Sequence, residues 1–206
     1  MLTIWGRKNS INVQKVLWCC GELDIKFERI DAGRQFGVNN TPEYRAMNPN
    51  GLVPTINHNG FILWESHAIV RYLSGIHGLG KLWPGTPRDF AEADRWMDWH
   101  HTTLWINLRP VFWELVRVAP EKRNMAMVEE NARKLAGHFA IADAHLAKNA
   151  YFGGRTFTMG DIPIGVAAFR WFNLPVDRPA HPNLEAWFKR ICGRPAFQQH
   201  CMAPLT

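Results

Sequence analysis

Ser10 stands at the end of a short polar loop, "GRKNS", directly ahead of a segment with helical periodicity. A helix start presents N–H groups without intrahelical partners and the positive end of the peptide dipoles, so it stabilises an anion. A thiolate held there, with the Ser10 hydroxyl donating to it, would have a depressed pKa. Asn12, just inside that helix, could add a second donor. The plainer alternative is that Ser10 caps the helix and Asn12 is a solvated surface amide.

Two more features lie in "NPNGLVPTINHNGFILWES". Pro54 falls inside the first of two short apolar runs, where a strand wants a backbone donor that proline lacks. If the Val53–Pro54 bond is cis, the chain kinks and the Val53 N–H and C=O face outward, open to an extended peptide ligand. The alternative is a trans proline at a strand start. Glu65-Ser66 follows the second run directly before another helical pattern. A carboxylate beside a hydroxyl and free helix N–H groups suits an amino acid end: Glu65 for an ammonium, Ser66 and the helix start for a carboxylate. Helix capping is again the alternative.

The 206-residue chain is 47 % apolar and 20 % charged, a globular composition. Its formal net charge is +6 with a pI of about 9.4, but the 24 Lys and Arg are scattered with no long basic run. Nucleic-acid binding therefore rests on net charge alone, and none is expected; attraction of a small anionic substrate accounts for the charge as well. Cys19, Cys20, Cys192 and Cys201 form neither a disulfide framework nor a zinc signature, so no metal is expected and a reducing, cytoplasmic setting fits. No membrane span or signal-peptide core is apparent.

The elements that must position these groups follow from periodicity. "LTIW" reads as a strand; Val13, Val16, Leu17 and Cys20 recur at helical spacing, with Gly21 as the expected end; "IKFERI" reads as a second strand. Strand, helix, strand in this span predicts a parallel βαβ unit. Thr41-Pro42 opens a short helix, Asn59-Gly60 turns a hairpin, and Ile69, Val70, Leu73 and Ile76 share one helical face. The expected division is an α/β domain over residues 1–79, a Pro/Gly linker over 80–87, and an all-α domain over 88–206. In the second half, Ala93, Trp96, Met97, His100 and Leu104 share a face, as do Val128, Ala132, Leu135, Phe139, Ala142 and Leu146. "FTMGDI" is a capping box, with Asp161 reaching back to Thr158 and Phe157 and Ile162 at the staple positions. Leu184, Trp187, Phe188 and Ile191 mark a final helix.

"NPNGLVPTINHNGFILWESHAIVRYL" resembles the glutathione-binding segment of the cytosolic glutathione transferases. "NSINVQKVL" resembles the catalytic-serine segment of their theta, delta and phi-like branches, and "FTMGDI" the capping motif of their sixth helix. The resemblance implies a thioredoxin-like domain that carries glutathione as co-substrate, a helical-bundle domain that shapes an electrophile pocket, detoxification chemistry and a homodimer. It implies that Ser10 activates the glutathione sulfur, that the Val53 backbone pairs with the cysteinyl unit beside a cis Pro54, and that Glu65 and Ser66 hold the γ-glutamyl end. Relatives often carry His or Lys where Asn39 and Asn40 stand, to hold the glycyl carboxylate. Arg34 and Asn39 are the candidates here. The position after Glu-Ser, often Arg in relatives, is His67.

Conjugation of the glutathione thiolate to an apolar electrophile is the expected activity, with Trp105, Phe112, Trp113, Trp171 and Phe172 as candidate walls or, alternatively, ordinary core. Glutathione-dependent disulfide or peroxide reduction is a second reading. Against it, the chain lacks a protein dithiol at the first helix. A non-catalytic ligand-binding member of the same fold is a third.

Overall fold

The computed structural model describes all 206 residues. The first half contains β1 (Leu2–Trp5), α1 (Ile11–Glu22), β2 (Phe27–Ile30), α2 (Pro42–Met47), β3 (Thr55–His58), β4 (Phe61–Trp64) and α3 (Ser66–His77). The strands form one sheet in the order β2-β1-β3-β4. β1 pairs parallel with β2, and β3 pairs antiparallel with both β1 and β4. This is the thioredoxin-like arrangement. The β3–β4 turn is Asn59-Gly60, both at positive φ as a two-residue hairpin turn requires. Along β1 burial alternates with the pleat: Leu2 and Ile4 are buried in the core, while Thr3 and Trp5 are only partly covered.

Pro54 lies one residue ahead of β3 rather than within it, so the ladder loses no donor. The Val53–Pro54 peptide is cis. Gly21 does not end α1. The helix runs on to Glu22, and a Cβ on Gly21 would sit 2.8 Å from the Ala196 methyl. The residue permits close approach of two helices, a role that local pattern does not distinguish from a C-cap. Ile76, at the end of the α3 stripe, is exposed while Ile69, Val70 and Leu73 are buried.

The second half is entirely helical: α4 (Pro87–Trp99), a π-helical turn (His100–Leu104), α5 (Trp105–Arg117), α6 (Met125–Leu146), α7 (Asp161–Asn173), α8 (Pro182–Cys192) and α9 (Pro195–Cys201). The expected stripes of α4 and α6 are buried. α9 was not foreseen: seven residues are too few for a periodicity to stand out. It packs on α1, with Phe197 against Trp18. No helix is long and apolar enough to cross a membrane.

The two halves share one core. A continuous cluster of 42 buried apolar residues runs from β1 and α1 through α7 to α9. Trp18 of α1 is its hinge point, wedged over Gly165 of α7, where a Cβ would approach the indole to 2.6 Å. The cleft between the halves therefore has walls held by close-packed side chains.

Asp161 anchors α7 into this core. Its carboxylate accepts from the Thr158 N–H at 2.9 Å, the Phe152 N–H at 3.0 Å and the Trp187 indole N–H at 2.9 Å. The Thr158 hydroxyl turns toward the same carboxylate instead of capping a helix N–H. Burial pushes the Asp161 pKa up to about 6, against the pull of these donors. Asp161→Ala would strand three buried N–H groups, each costing about 1–3 kcal/mol. Urea unfolding is expected to show a loss of about 3 kcal/mol or more; a loss under about 1 kcal/mol would mean the donors find other partners.

Candidate active site

Between the halves lies a cleft of about 470 Å³, floored by the β1–α1 loop, the loop before β3 and the start of α3, and roofed by α5. Each wall has a local cause. Asn48 and Tyr44 shape the loop before β3. The Asn48 amide donates to the Leu52 C=O at 2.9 Å and to Thr55 Oγ1 at 3.0 Å, and the Tyr44 hydroxyl donates to the same carbonyl at 2.6 Å. Gly51 turns the loop at φ 62°, where a Cβ would meet the Asn39 carbonyl at 3.0 Å. These bonds satisfy Leu52 and leave its neighbour open: neither the Val53 N–H nor its C=O has a partner within the chain. A half-buried main-chain donor and acceptor side by side form a site for one extended residue of a ligand.

Ser10 occupies the N-cap position of α1 with extended backbone, and its C=O accepts from the Gln14 N–H at 2.9 Å. Its side chain makes no capping hydrogen bond. The capping reading therefore does not hold, and the hydroxyl lines the cleft. Glu65 occupies the equivalent position of α3, also without a side-chain cap, at φ 71° and ψ 113°. A non-glycine residue there stores roughly 1–3 kcal/mol of backbone strain, a cost found mainly at ligand sites. It places the Glu65 carboxylate in the cleft beside Ser66 and the open N–H groups of the first α3 turn.

Ser10, Asn12, Arg34, Val53, Pro54, Glu65, Ser66, Trp105, Phe112 and Trp113 thus line one cleft. Three expected residues do not. Asn39 donates its amide to the Gly51 C=O at 2.7 Å and stands behind the loop. Trp171 is fully buried and stacks on Phe139. Phe172 lies on the far side of α7, against Phe188 of α8. Those two aromatics belong to packing, not to the cleft. Arg7, Arg109, Arg117 and Arg170 line it and were missed. Helical spacing was the available signal for Arg109, since positions 105, 109, 112 and 113 share a face of α5. For Arg170 the signal was a lone charge in an otherwise apolar segment.

Behind Asn12 lies a buried amine. Lys15 Nζ sits 3.0 Å from Asn12 Oδ1 and 3.0 Å from His67 Nε2. Its donation to the amide oxygen leaves Asn12 Nδ2 as that side chain's free donor. Burial, then the nearby Arg170 charge, pushes Lys15 down to about 7, with Glu65 opposing. Burial, then Lys15, holds His67 well below the usual imidazole range, so a neutral ring accepts from the Lys15 amino group. His67 points inward to this pair.

The fold and the cleft define a class: a thioredoxin-like domain joined to a helical domain, with an uncapped serine, an open main-chain pair and a Glu-Ser helix start facing one cavity. Residues 1–75 match the family model of the glutathione S-transferase N-terminal domain, and residues 102–195 that of the C-terminal domain. The chain belongs to the glutathione S-transferase family. It is 42 % identical to glutathione S-transferase GstB of Escherichia coli over the whole of both chains. It is 32 % identical to glutathione S-transferase 3 of Zea mays, covering 96 % of this chain and 92 % of that one. The theta class glutathione S-transferase of Xanthomonas axonopodis pv. citri, solved with glutathione bound, superposes with a TM-score of 0.96 at 44 % identity, over 100 % of this chain and 99 % of that one.

The Lys15 pair sets a pH dependence. Its ordinary value of 10.5 falls to about 7 in the folded chain, so between these values the unfolded chain holds a proton that the folded chain lacks. Stability from this residue therefore rises with pH through that window and is lost as pH falls toward 7. The buried thiols Cys19, Cys20 and Cys201 are raised from 9.0, so they oppose this trend only above about pH 9. Urea midpoints of the wild type are expected to rise from about pH 7 to 9, with that rise absent in Lys15→Met. Parallel slopes for the two proteins would refute the assignment.

Proposed function

We propose that the protein activates the thiol of glutathione as a thiolate on Ser10 and transfers it to an electrophile whose carbon skeleton lies on Trp105, Phe112 and Trp113. The single observation that carries this reading is the Ser10 hydroxyl, at the mouth of α1 and free of any capping bond, in the same cleft as the unpaired Val53 backbone.

In this reading the cysteinyl unit lies antiparallel to Val53, its C=O accepting from the Val53 N–H and its N–H donating to the Val53 C=O. Glu65 pairs with the α-ammonium. Ser66 and the first turn of α3 hold the α-carboxylate, where helix N–H groups favour an anion. Arg34, exposed in the loop after β2, is the cation for the glycyl carboxylate. These contacts hang the sulfur over the start of α1. The Ser10 hydroxyl donates to the thiolate, as does Asn12 Nδ2 with Lys15 fixing its orientation. Hydrogen bonding to the charged form lowers the sulfur pKa, and each unit is worth about 1.4 kcal/mol. The thiol proton leaves to solvent. The thiolate pair then forms the carbon–sulfur bond while the leaving group departs with its own electron pair.

No protein thiol competes for this role. Cys19, Cys20 and Cys201 are buried, burial pushes the Cys19 thiol up to about 12, and Cys192 lies on α8. Disulfide reduction would have to run on glutathione thiols alone.

Ser10→Ala is expected to raise the pKa of enzyme-bound glutathione by about one to two units and to cut kcat at neutral pH by about tenfold or more, with little change in the glutathione KM. Thiolate absorbance against pH and steady-state kinetics read both. A variant with unchanged thiol pKa and full rate would remove Ser10 from the mechanism.

A further inference from the structure

The cleft carries far more positive charge than glutathione can use. Five arginines line it, Arg7, Arg34, Arg109, Arg117 and Arg170, against one carboxylate, Glu65. None of the five forms a salt bridge. Like charges gathered without a counter-ion cost free energy, and they persist where a ligand supplies the anion.

Three of them, Arg7, Arg34 and Arg117, form a group whose charges act on one another. The Arg34 guanidinium crosses from the first half to lie 5.2 Å from the Trp113 ring centre. Arg117 lies 5.6 Å and Arg170 5.4 Å from the Phe112 ring centre. A Cβ on Gly33 would sit 3.0 Å from an Arg7 terminal nitrogen and 3.4 Å from the Val53 side chain. The Nε atoms of Arg7 and Arg117 are buried without any hydrogen-bond partner. Burial and then the charges of Arg34 and Arg117 lower the Arg7 pKa; burial and then Arg34 lower that of Arg117. Arg170 stands apart in purpose: its terminal nitrogens are occupied by the Val166 C=O and Gln14 Oε1.

Bound glutathione thiolate brings one ammonium, two carboxylates and the sulfur charge. Glu65 answers the ammonium, the α3 start answers one carboxylate, and a single arginine answers the other. The sulfur sits at α1 and loses its charge when the bond to carbon forms. Arg117, against Phe112, and Arg7, within range of its charge, are then left in the cleft without an anion.

From this excess the geometry points to an acceptor substrate that is itself anionic: an aromatic or other flat electrophile bearing a carboxylate or similar oxyanion, its body against Phe112 and Trp113 and its charge on Arg7 and Arg117. This rests on the glutathione reading above and narrows its electrophile from apolar to apolar with an acidic group. Guanidinium donors recognise oxyanions as planar forks, and Arg117, already over the Phe112 ring, is positioned for it. The chemistry is unchanged: the thiolate forms the carbon–sulfur bond and the leaving group departs with its electron pair.

The test is a matched pair of acceptors, 4-chloro-3-nitrobenzoate and 4-chloro-3-nitrobenzamide, with each enzymatic kcat/KM divided by the uncatalysed rate with glutathione. The wild type is expected to favour the carboxylate by about tenfold or more, the worth of one charge-assisted hydrogen-bonded contact. Added KCl should erode that preference in the unaltered protein, independently of any variant's folding. Arg117→Gln and Arg7→Gln should each bring the ratio toward one. A ratio near one in the wild type, or variants that lose both acceptors in proportion, would overturn the anionic acceptor while leaving the glutathione site standing. Calorimetry with glutathione alone separates the two: absence of glutathione binding would overturn both readings together.

Discussion

Everything in the cleft depends on one pair of backbone groups that the fold declines to use. In a sheet protein, almost every half-buried N–H and C=O finds a partner, because an orphan costs about as much as a lost hydrogen bond. Val53 keeps both of its groups open. The cause lies beside it: Asn48, Tyr44 and Thr55 form a buried polar knot that takes the Leu52 carbonyl twice and ends there. β3 begins only at Thr55. Ser10 and Glu65, each at a helix start without a side-chain cap, stand to either side of that gap. In the proposed site a ligand's main chain docks at Val53, with its γ-glutamyl end at the start of α3 and its sulfur at the start of α1.

The second constraint is that the opposite wall cannot drift. The apolar cluster that joins the halves is closed at Trp18 over Gly165, a contact with no room for a methyl group. The Arg194 guanidinium adds a two-point bond to Glu22, at 2.7 and 2.6 Å, tying the α8–α9 turn to α1. α5 therefore faces the β1–α1 loop at a set spacing. Its aromatic and cationic side chains are presented to whatever the first half binds.

How much of this was readable beforehand depends on range. The parallel β1–β2 pair, the hairpin, the α2 and α7 starts and the buried stripes of α4 and α6 follow from local pattern, and local pattern is what a single sequence shows. Ser10, Glu65 and Ser66, which line the cleft, stand out in the sequence as polar residues at element boundaries. Local pattern offers Gly21 as a helix end and gives Gly165 no role, because each permits the approach of another helix more than a hundred residues away. The aromatics split for the same reason. Trp113 and Trp171 are alike in the sequence, yet α5 turns one to the cleft and α7 turns the other to the core. Beyond Arg34, no run marks the arginines of the cleft: Arg7, Arg109, Arg117 and Arg170 converge on it from the β1–α1 loop, α5 and α7, and only folding brings them together.

The central claim is that the Val53 main chain is the docking edge for glutathione. Amide hydrogen exchange at Val53, followed by NMR with and without saturating glutathione, tests it most directly. The account predicts fast exchange in the free protein and a slowing of at least about tenfold on binding, as a new hydrogen bond of about 1.4 kcal/mol requires. A Val53 amide already protected in the free protein, or one whose exchange glutathione leaves unchanged, would contradict it.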